Sequence, residues 1–474
     1  MGHRRGESRQ QAALFPVMLD ELVQQDGLVR VIDAWVGSLD LKALGFAKAQ
    51  AQAMGTPPYD PADLLKLYIW GYLSAVRSSR ALERECHRNV ECMWLLGRLA
   101  PDHKTIAEFR RGNSQALVAA CATFVQFAHR QRLIAGTTVA IDGTKVRAAA
   151  SRKSVLRKGA LDERAKRNAQ QIEQYLQALD AQDGQETGGP RPEDVRRALE
   201  QLQSRKEKIQ ADHQQLANHG ANTLVKGEPE AQVMGPSLDF APGYNLQSAV
   251  ESGSHLIVAH EVTNTANDLR QLQPMAEVAS QALTQPITVV ADAGYANGEH
   301  IAKLDDKGIT CYVATARAVN TRGDGTLYDR TVFSYDAGAD RFTCPAGKTL
   351  ARKCLQRQDK LVTYSARPED CGACAHKSRC TDAPRRLITR HLYEDALQAN
   401  AQRIAQHPQM MALRRQTVEH PFADLKHRIL GNARLLMRGL DGARSELSLA
   451  VLAYNLKRAF NMKGAAWMHK AFRG

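Results

Sequence analysis

Asp142, Asp292 and Glu419 are the residues of this chain whose surroundings suit chemistry on a phosphodiester. Residues 137–148 read Thr-Thr-Val-Ala-Ile-Asp-Gly-Thr-Lys-Val-Arg-Ala. β-Branched and apolar residues lead to Asp142 and Gly143, the pattern of a buried central strand that ends by carrying an acid into a cleft. Residues 288–295, Thr-Val-Val-Ala-Asp-Ala-Gly-Tyr, repeat the pattern at Asp292. Arg415, Glu419 and Lys426 then place an acid between two bases on roughly one helical face. Each acid alone has a plainer reading: a turn residue at Asp142, a helix cap at Asp292, an i,i+4 pair of Glu419 with Arg415. Together, in a basic chain, they suggest a divalent-metal site. Cleaving or transferring a phosphodiester needs an activated oxygen nucleophile and a stabilised leaving oxygen, which two Mg²⁺ (or Mn²⁺) ions about 3.5–4 Å apart supply. Asp142 suits the bridging position, Asp292 one ion and Glu419 the other, with Arg415 and Lys426 on phosphates.

The composition agrees with such a substrate. Across 474 residues, 64 Lys and Arg face 50 Asp and Glu, a net charge of +14 that favours polyanions, nucleic acid first. Residues 1–10 lead into no apolar block of signal-peptide length, and the longest apolar stretch, 447–456, is too short to span a bilayer. A cytoplasmic, nucleoid-associated protein without membrane partners is expected. In a reducing compartment the nine cysteines serve as thiols or metal ligands rather than disulfides.

The elements that must position these residues fall into six stretches. Residues 1–135 read as helical, with cap-like Asp60 before Pro61, a serine start at Ser78, and Asp102 before a helix ending in bases. Arg80, Arg84 and Arg88 give the Ser78 helix a basic face. That suits either a helix-turn-helix-like DNA-binding module or a plain bundle with solvated charges. Residues 136–160 and 221–320 carry strands in the order strand, strand, strand, helix, strand, helix, strand. An antiparallel meander extended by parallel strands, an α/β mixed sheet with flanking helices, follows. Residues 161–220 are polar, with Val195, Leu199, Leu202, Ile209 and Leu216 along a heptad seam that Lys206 and His213 also enter. This predicts an inserted antiparallel helical hairpin, broken at residues 184–192. In residues 396–474, Pro421 predicts a kink or helix start beside Glu419, and residues 447–460, apolar almost all round, a buried helix.

Residues 321–395 hold five of the nine cysteines. Cys344, followed by a tight-turn sequence, with Cys371, Cys374 and Cys380 makes the natural tetrahedral set for a structural Zn²⁺. Cys354, His376 and His391 are possible substitutes, and unmetallated thiols are the alternative. Cys86, Cys92, Cys121 and Cys311 sit in apolar periodic contexts and read as core.

The chain resembles the DDE transposases of bacterial insertion sequences along nearly its whole length. Asp-Gly-Thr-Lys at 142–145, Asp-Ala-Gly-Tyr at 292–295 and Arg-x3-Glu-x6-Lys at 415–426 match that group's three acidic motifs. Residues 101–110 resemble its N-terminal region, and a cysteine-rich insertion recurs in one branch. The resemblance implies a ribonuclease-H-like fold and Asp142, Asp292 and Glu419 as catalytic triad, with Arg415, Lys426 and Lys145 as DNA contacts. It further implies terminal inverted repeats and target DNA as double-stranded DNA partners, and a homodimer on paired ends. Ala412 stands where the group usually carries a tyrosine. A nuclease of the same fold, or a DNA-binding regulator derived from a transposase, are the other classes compatible with these residues.

Overall fold

A computed structural model describes residues 18–50, 57–182, 192–235, 240–315, 326–357 and 360–473. The start of the chain and residues 184–191 of the expected hairpin break lie outside the described residues.

The main sheet is built on β1 (Thr138–Arg147), β2 (Ala241–Glu251), β3 (Ile257–Thr263), β4 (Thr288–Ala291) and β5 (Thr310–Val313). Across the sheet they run β3-β2-β1-β4-β5, the first three antiparallel and the last two parallel to β1. A short strand, Gln232–Met234, extends the β3 edge by pairing with the start of β2. This is the mixed sheet that the order of the apolar runs predicts. β2 is buried along its whole length, as a strand flanked on both edges and covered on both faces must be.

One expectation fails at the site itself. β1 does not end at Asp142 but continues to Arg147, because β2 pairs with it as far as Arg147 opposite Gly243. What ends is the other neighbour. β4 pairs with β1 only through Ala140 opposite Val290, so at Asp142 that edge of β1 has lost β4, and it is taken up again at Arg147 by a bridge to Arg434.

Helices cover the sheet. Gly439–Arg473 contains the predicted buried segment, packing on β3 from one side and on Leu28–Gly37, Pro61–Leu73 and Ser114–Arg130 from the other. A helix squeezed between two layers has no solvated face, so it is apolar all round. The N-terminal helices and the sheet thus share one continuous hydrophobic core. A buried ionic contact fastens them: Glu446 accepts from Arg77 Nη1 at 3.3 Å and from the amide of Leu436 at 2.6 Å. Asp60, Ser78 and Asp102 cap their helices through Ala62, Ala81 and Thr105, where the sequence places them.

Lys158–Gln182 and Pro192–His219 pack antiparallel, with Asn168 donating to the Leu202 carbonyl and His213 facing Asp162. Val195, Leu202, Ile209 and Leu216 are buried at the heptad interval, while Leu199 is half-buried and Lys206 exposed. The cysteine-bearing stretch forms its own five-stranded antiparallel meander, from Ser334–Asp336 to Leu387–His391, around Phe333, Phe342, Leu350 and Tyr364.

The helix Gln409–Ala423 lies across β1 and β4. It neither starts nor breaks beside Glu419: it runs through Pro421, and its winding changes only afterwards, in the π-helical turn Asp424–Ile429. Proline removes the donor that would meet the Thr417 carbonyl, and His255 Nδ1 approaches that carbonyl at 3.3 Å instead.

Candidate active site

The register of the parallel pair explains how the first two acids meet. Thr138 pairs with Thr288 and Ala140 with Val290, so the same offset carries Asp142 alongside Asp292, one residue beyond the end of β4. Side chains alternate between faces, and two residues in the same register of a parallel pair point the same way. Asp142 is held by the Gly143 amide at 2.8 Å, and Asp292 by the Gly294 amide at 2.9 Å as the cap of a short 3₁₀ turn.

The two carboxylates converge on one cation. Nη2 of Arg414 donates to Asp142 Oδ2 at 3.0 Å and to Asp292 Oδ2 at 3.1 Å. Arg414 occupies the inward face of its helix, in line with buried Val418, Pro421 and Leu425 at steps of four, three and four. Arg415 and Glu419 stand on the neighbouring face and are exposed; among the described residues the Glu419 carboxylate has no hydrogen bond or ion pair. The structure thus brings Asp142 and Asp292 together and leaves Glu419 on the rim, five residues along the helix from the bridging arginine. The spacing that marks 414, 418, 421 and 425 as one stripe was readable in the sequence, but an arginine heading an apolar stripe does not announce which acids it meets.

Two further basic residues line the cleft. Lys426 is half-buried: burial lowers its affinity for a proton, the Asp142 charge opposes that, and Lys145 reinforces it. Lys145 lies 3.5 Å from Asp268 Oδ1. Asp268 lies in the loop before the helix Leu272–Leu283. The loop turns its carboxylate toward the sheet, where Asn245 and Gln247 of β2 donate to Oδ1 at 2.7 and 2.6 Å. Gln247 in turn accepts from the buried Tyr295 hydroxyl. Burial pushes the Asp142 carboxyl up to about 6; Arg414 and the Gly143 amide oppose this, and the charges of Asp292 and Asp268 add to it.

Two of the acids, Asp142 and Asp292, present the kind of donor a divalent cation takes. Carboxylate oxygens are the ligands hard cations prefer, and the guanidinium of Arg414 already stands in for a cation between two of them, its Nε buried without a partner. Among the described residues no group of three or more His, Cys, Asp or Glu is arranged to hold a metal, at this site or in the cysteine-bearing meander. There, Cys344 Sγ accepts from the Lys348 amide at 3.3 Å within its tight turn. Cys344, Cys371 and Cys380 pack on one small core. Cys380 is pushed up by burial, with Arg386 opposing and Cys371, Cys344 and Cys374 contributing. Cys354 and His376 are exposed, and His391 accepts from the Tyr393 amide. Cys86, Cys92, Cys121 and Cys311 are buried thiols of the core, as their periodicity predicts.

Comparison with known families supplies the chain's kinship. Residues 17–112 match a family described as Transposase domain (DUF772), and residues 343–460 one described as Transposase DDE domain. The chain belongs to the DDE transposases. The second match spans Arg414, Glu419 and Lys426, while the first includes the caps at Asp60, Ser78 and Asp102 and the exposed Arg80, Arg84 and Arg88 of Ser79–Arg88. Arg88 is held by Glu85 of the same helix. Among solved structures the transposase is similar to the piggyBac transposase in a cryo-EM synaptic complex with hairpin DNA, at 9% identity and a TM-score of 0.34. The similarity covers 96% of this chain and 78% of that one, and is too loose to transfer any residue or contact. No curated protein matches the sequence. Among the described residues no helix is long and apolar enough to cross a membrane.

Proposed function

We propose that this DDE transposase cleaves DNA at the ends of its element and joins the freed 3′-hydroxyls to target DNA, on a ribonuclease-H-like core. The observation that carries this reading is the convergence of Asp142 and Asp292, from adjacent parallel strands, on the Arg414 guanidinium. The strand order β3-β2-β1-β4-β5, with the first acid on the central strand and the second just past its parallel neighbour, supports the core assignment.

Asp142, Asp292 and Glu419 are the residues that would hold two Mg²⁺ or Mn²⁺ ions. When bound, such ions acidify a water or a 3′-hydroxyl and stabilise the leaving oxygen. The chain's own part is positioning and charge. The two aspartates are fixed by backbone amides on a rigid sheet, which limits their reorganisation during the reaction. Lys145, Lys426 and Arg415 supply phosphate contacts around the acids, and Arg414 becomes available to phosphate once it is released from the carboxylates. Arg80, Arg84 and Arg88 present a basic helix face to the element ends, and Cys344, Cys371, Cys374 and Cys380 hold one structural Zn²⁺. The working form is a homodimer on paired ends, in the cytoplasm at the nucleoid.

The deciding experiment supplies duplex ends, already cut to a free 3′-hydroxyl, with target DNA and Mg²⁺ or Mn²⁺. The wild-type chain joins them, and Asp142→Asn or Asp292→Asn binds them without joining. Cleavage of uncut ends with no joining identifies a nuclease; binding with neither identifies a regulator. Joining that survives Asp142→Asn places the active site elsewhere.

A further inference from the structure

The edge of β1 that β4 leaves before Asp142 is taken up again at Arg147, and two arginines meet there. Arg147, the last residue of β1, forms a parallel bridge with Arg434, in the loop between the Asp424–Ile429 turn and the Gly439–Arg473 helix. The Arg147 amide donates to the Ala433 carbonyl and the Leu435 amide to the Arg147 carbonyl, both at 2.8 Å. Residues in register on parallel neighbours lie about 4.8 Å apart and point the same way, so the two arginines start side by side. Both are exposed, and among the described residues neither has a carboxylate partner. Opposite Arg147 on β2 stands Gly243, which offers no side chain to balance the charge. Like charges placed directly across a ladder are destabilising.

The fold nevertheless holds Arg434 in position. Its Nη2 donates to the Ala149 carbonyl at 2.6 Å, and its amide to the Asn432 side chain at 3.1 Å. Its carbonyl accepts from Arg77 Nη1 at 3.1 Å, and Arg77 is anchored on buried Glu446. Arg77 directly precedes Ser78, the cap of the helix that carries Arg80, Arg84 and Arg88. Cations therefore run from Lys145 and Arg147, on one face of β1, through Arg434 to the start of that helix. A repulsive pair held in place is a local conflict of the kind that proteins keep for function. Phosphates are the counter-charge that fits, because the guanidinium fork matches their oxygens. The spacing suits the active site as well. From Asp142 to Arg147 a strand rises about 17 Å, which spans about five phosphates of one DNA strand.

We propose that Arg147 and Arg434 clamp the backbone of the element-end duplex about five base pairs from the reacting phosphate, on the path from the cleft to the Ser79–Arg88 helix. The inference rests on the reading of Arg80, Arg84 and Arg88 as contacts to element ends. It adds the stretch of duplex between those contacts and the acids.

Binding tests it without catalysis. Full-length protein is titrated, without added Mg²⁺ or Mn²⁺, with a duplex carrying the element's terminal repeat over a range of salt. The Arg147 side chain makes no hydrogen bond among the described residues, so Arg147→Gln should keep the wild-type melting temperature. It should lower the salt slope by about 0.9, as should Arg434→Gln, and the double variant should lower it by about 1.8. Arg147→Lys, which keeps the charge, should keep the slope. A single uncharged methylphosphonate about five phosphates from the cut should weaken binding to the wild type but not to the double variant. A double variant with the wild-type slope, or an equal methylphosphonate penalty in both proteins, overturns the clamp. So does a double variant that holds ends normally and fails only to capture a target duplex. Wild-type protein with no preference for the terminal repeat over random duplex would instead sink the element-end reading, and the clamp with it.

Discussion

His255 Nδ1 lies 3.3 Å from the carbonyl oxygen of Thr417, the one helical acceptor that Pro421 leaves without its donor. The contact requires the tautomer with hydrogen on Nδ1, and it ties the helix of Arg414 and Glu419 to the turn between β2 and β3. The backbone of His255 is left-handed, with φ of 57°, and its carbonyl accepts from Tyr454 at 2.8 Å. His255→Asn tolerates that conformation but cannot reach Thr417, and should cost about 1–2 kcal/mol in urea unfolding. In a Pro421→Ala background, where the helix supplies the donor again, the same substitution should cost clearly less. Equal costs in both backgrounds would show that the two residues are not coupled.

Removing the stand-in cation should expose what it balances. Arg414→Gln leaves Asp142 and Asp292 facing each other without a counter-charge, at a cost of roughly 1–3 kcal/mol in chelator. Mn²⁺ should then raise the melting temperature more in the variant than in the wild type, because the ion no longer competes with the guanidinium. A smaller Mn²⁺ shift in Arg414→Gln would mean that the arginine helps to hold the ion.

The Asp142 carboxyl, raised from 3.8 to about 6 chiefly by burial, gives a pH signature in metal-free buffer. A folded value above the unfolded one means that the folded state binds the proton more tightly. The contribution is therefore fully present below pH 3.8 and lost as pH rises through 6. Asp142→Asn does not titrate, so its stability relative to wild type should increase between about pH 4 and pH 7 by roughly 2–3 kcal/mol. Parallel stability–pH curves for the two proteins would refute this.

Zinc should be present in protein purified without chelator, at one ion per chain, and reduced in Cys371→Ser and Cys374→Ser. Cys354→Ser should retain it, since that thiol is exposed on its strand while Cys344, Cys371 and Cys380 pack on the small core. Zinc-free protein that tolerates chelators would leave the four thiols reduced and unmetallated.

End recognition is best probed by charge rather than by deletion, because the N-terminal helices share the core of the sheet and are locked to it by Arg77 and Glu446. Replacing Arg80, Arg84 and Arg88 with alanine should weaken binding to element ends. The salt slope should fall by about 0.9 for each phosphate that is no longer neutralised. Unchanged affinity and slope for element ends would move recognition to another face. Glu446→Gln should instead destabilise the whole chain by roughly 3–5 kcal/mol, as breaking a buried pair does.

The elements and the family are legible in single stretches of the sequence. Apolar runs ending near Asp142 and Asp292, caps at Asp60, Ser78 and Asp102, the heptad seam ending at Leu216 and the apolar segment that became Gly439–Arg473 are local patterns, read from one stretch at a time. Tertiary structure decided who meets whom. That β1 continues past Asp142 depends on β2, about a hundred residues later, pairing with it to Arg147, while β4 stops short. That Arg414 rather than Arg415 reaches the aspartates depends on which stripe of its helix the sheet buries, a rotation of about 100° per residue. That the Asp268 carboxylate turns toward the sheet depends on two buried amides of β2, Asn245 and Gln247. Periodicity fixes which face a residue occupies; only the packing of distant segments fixes what that face touches.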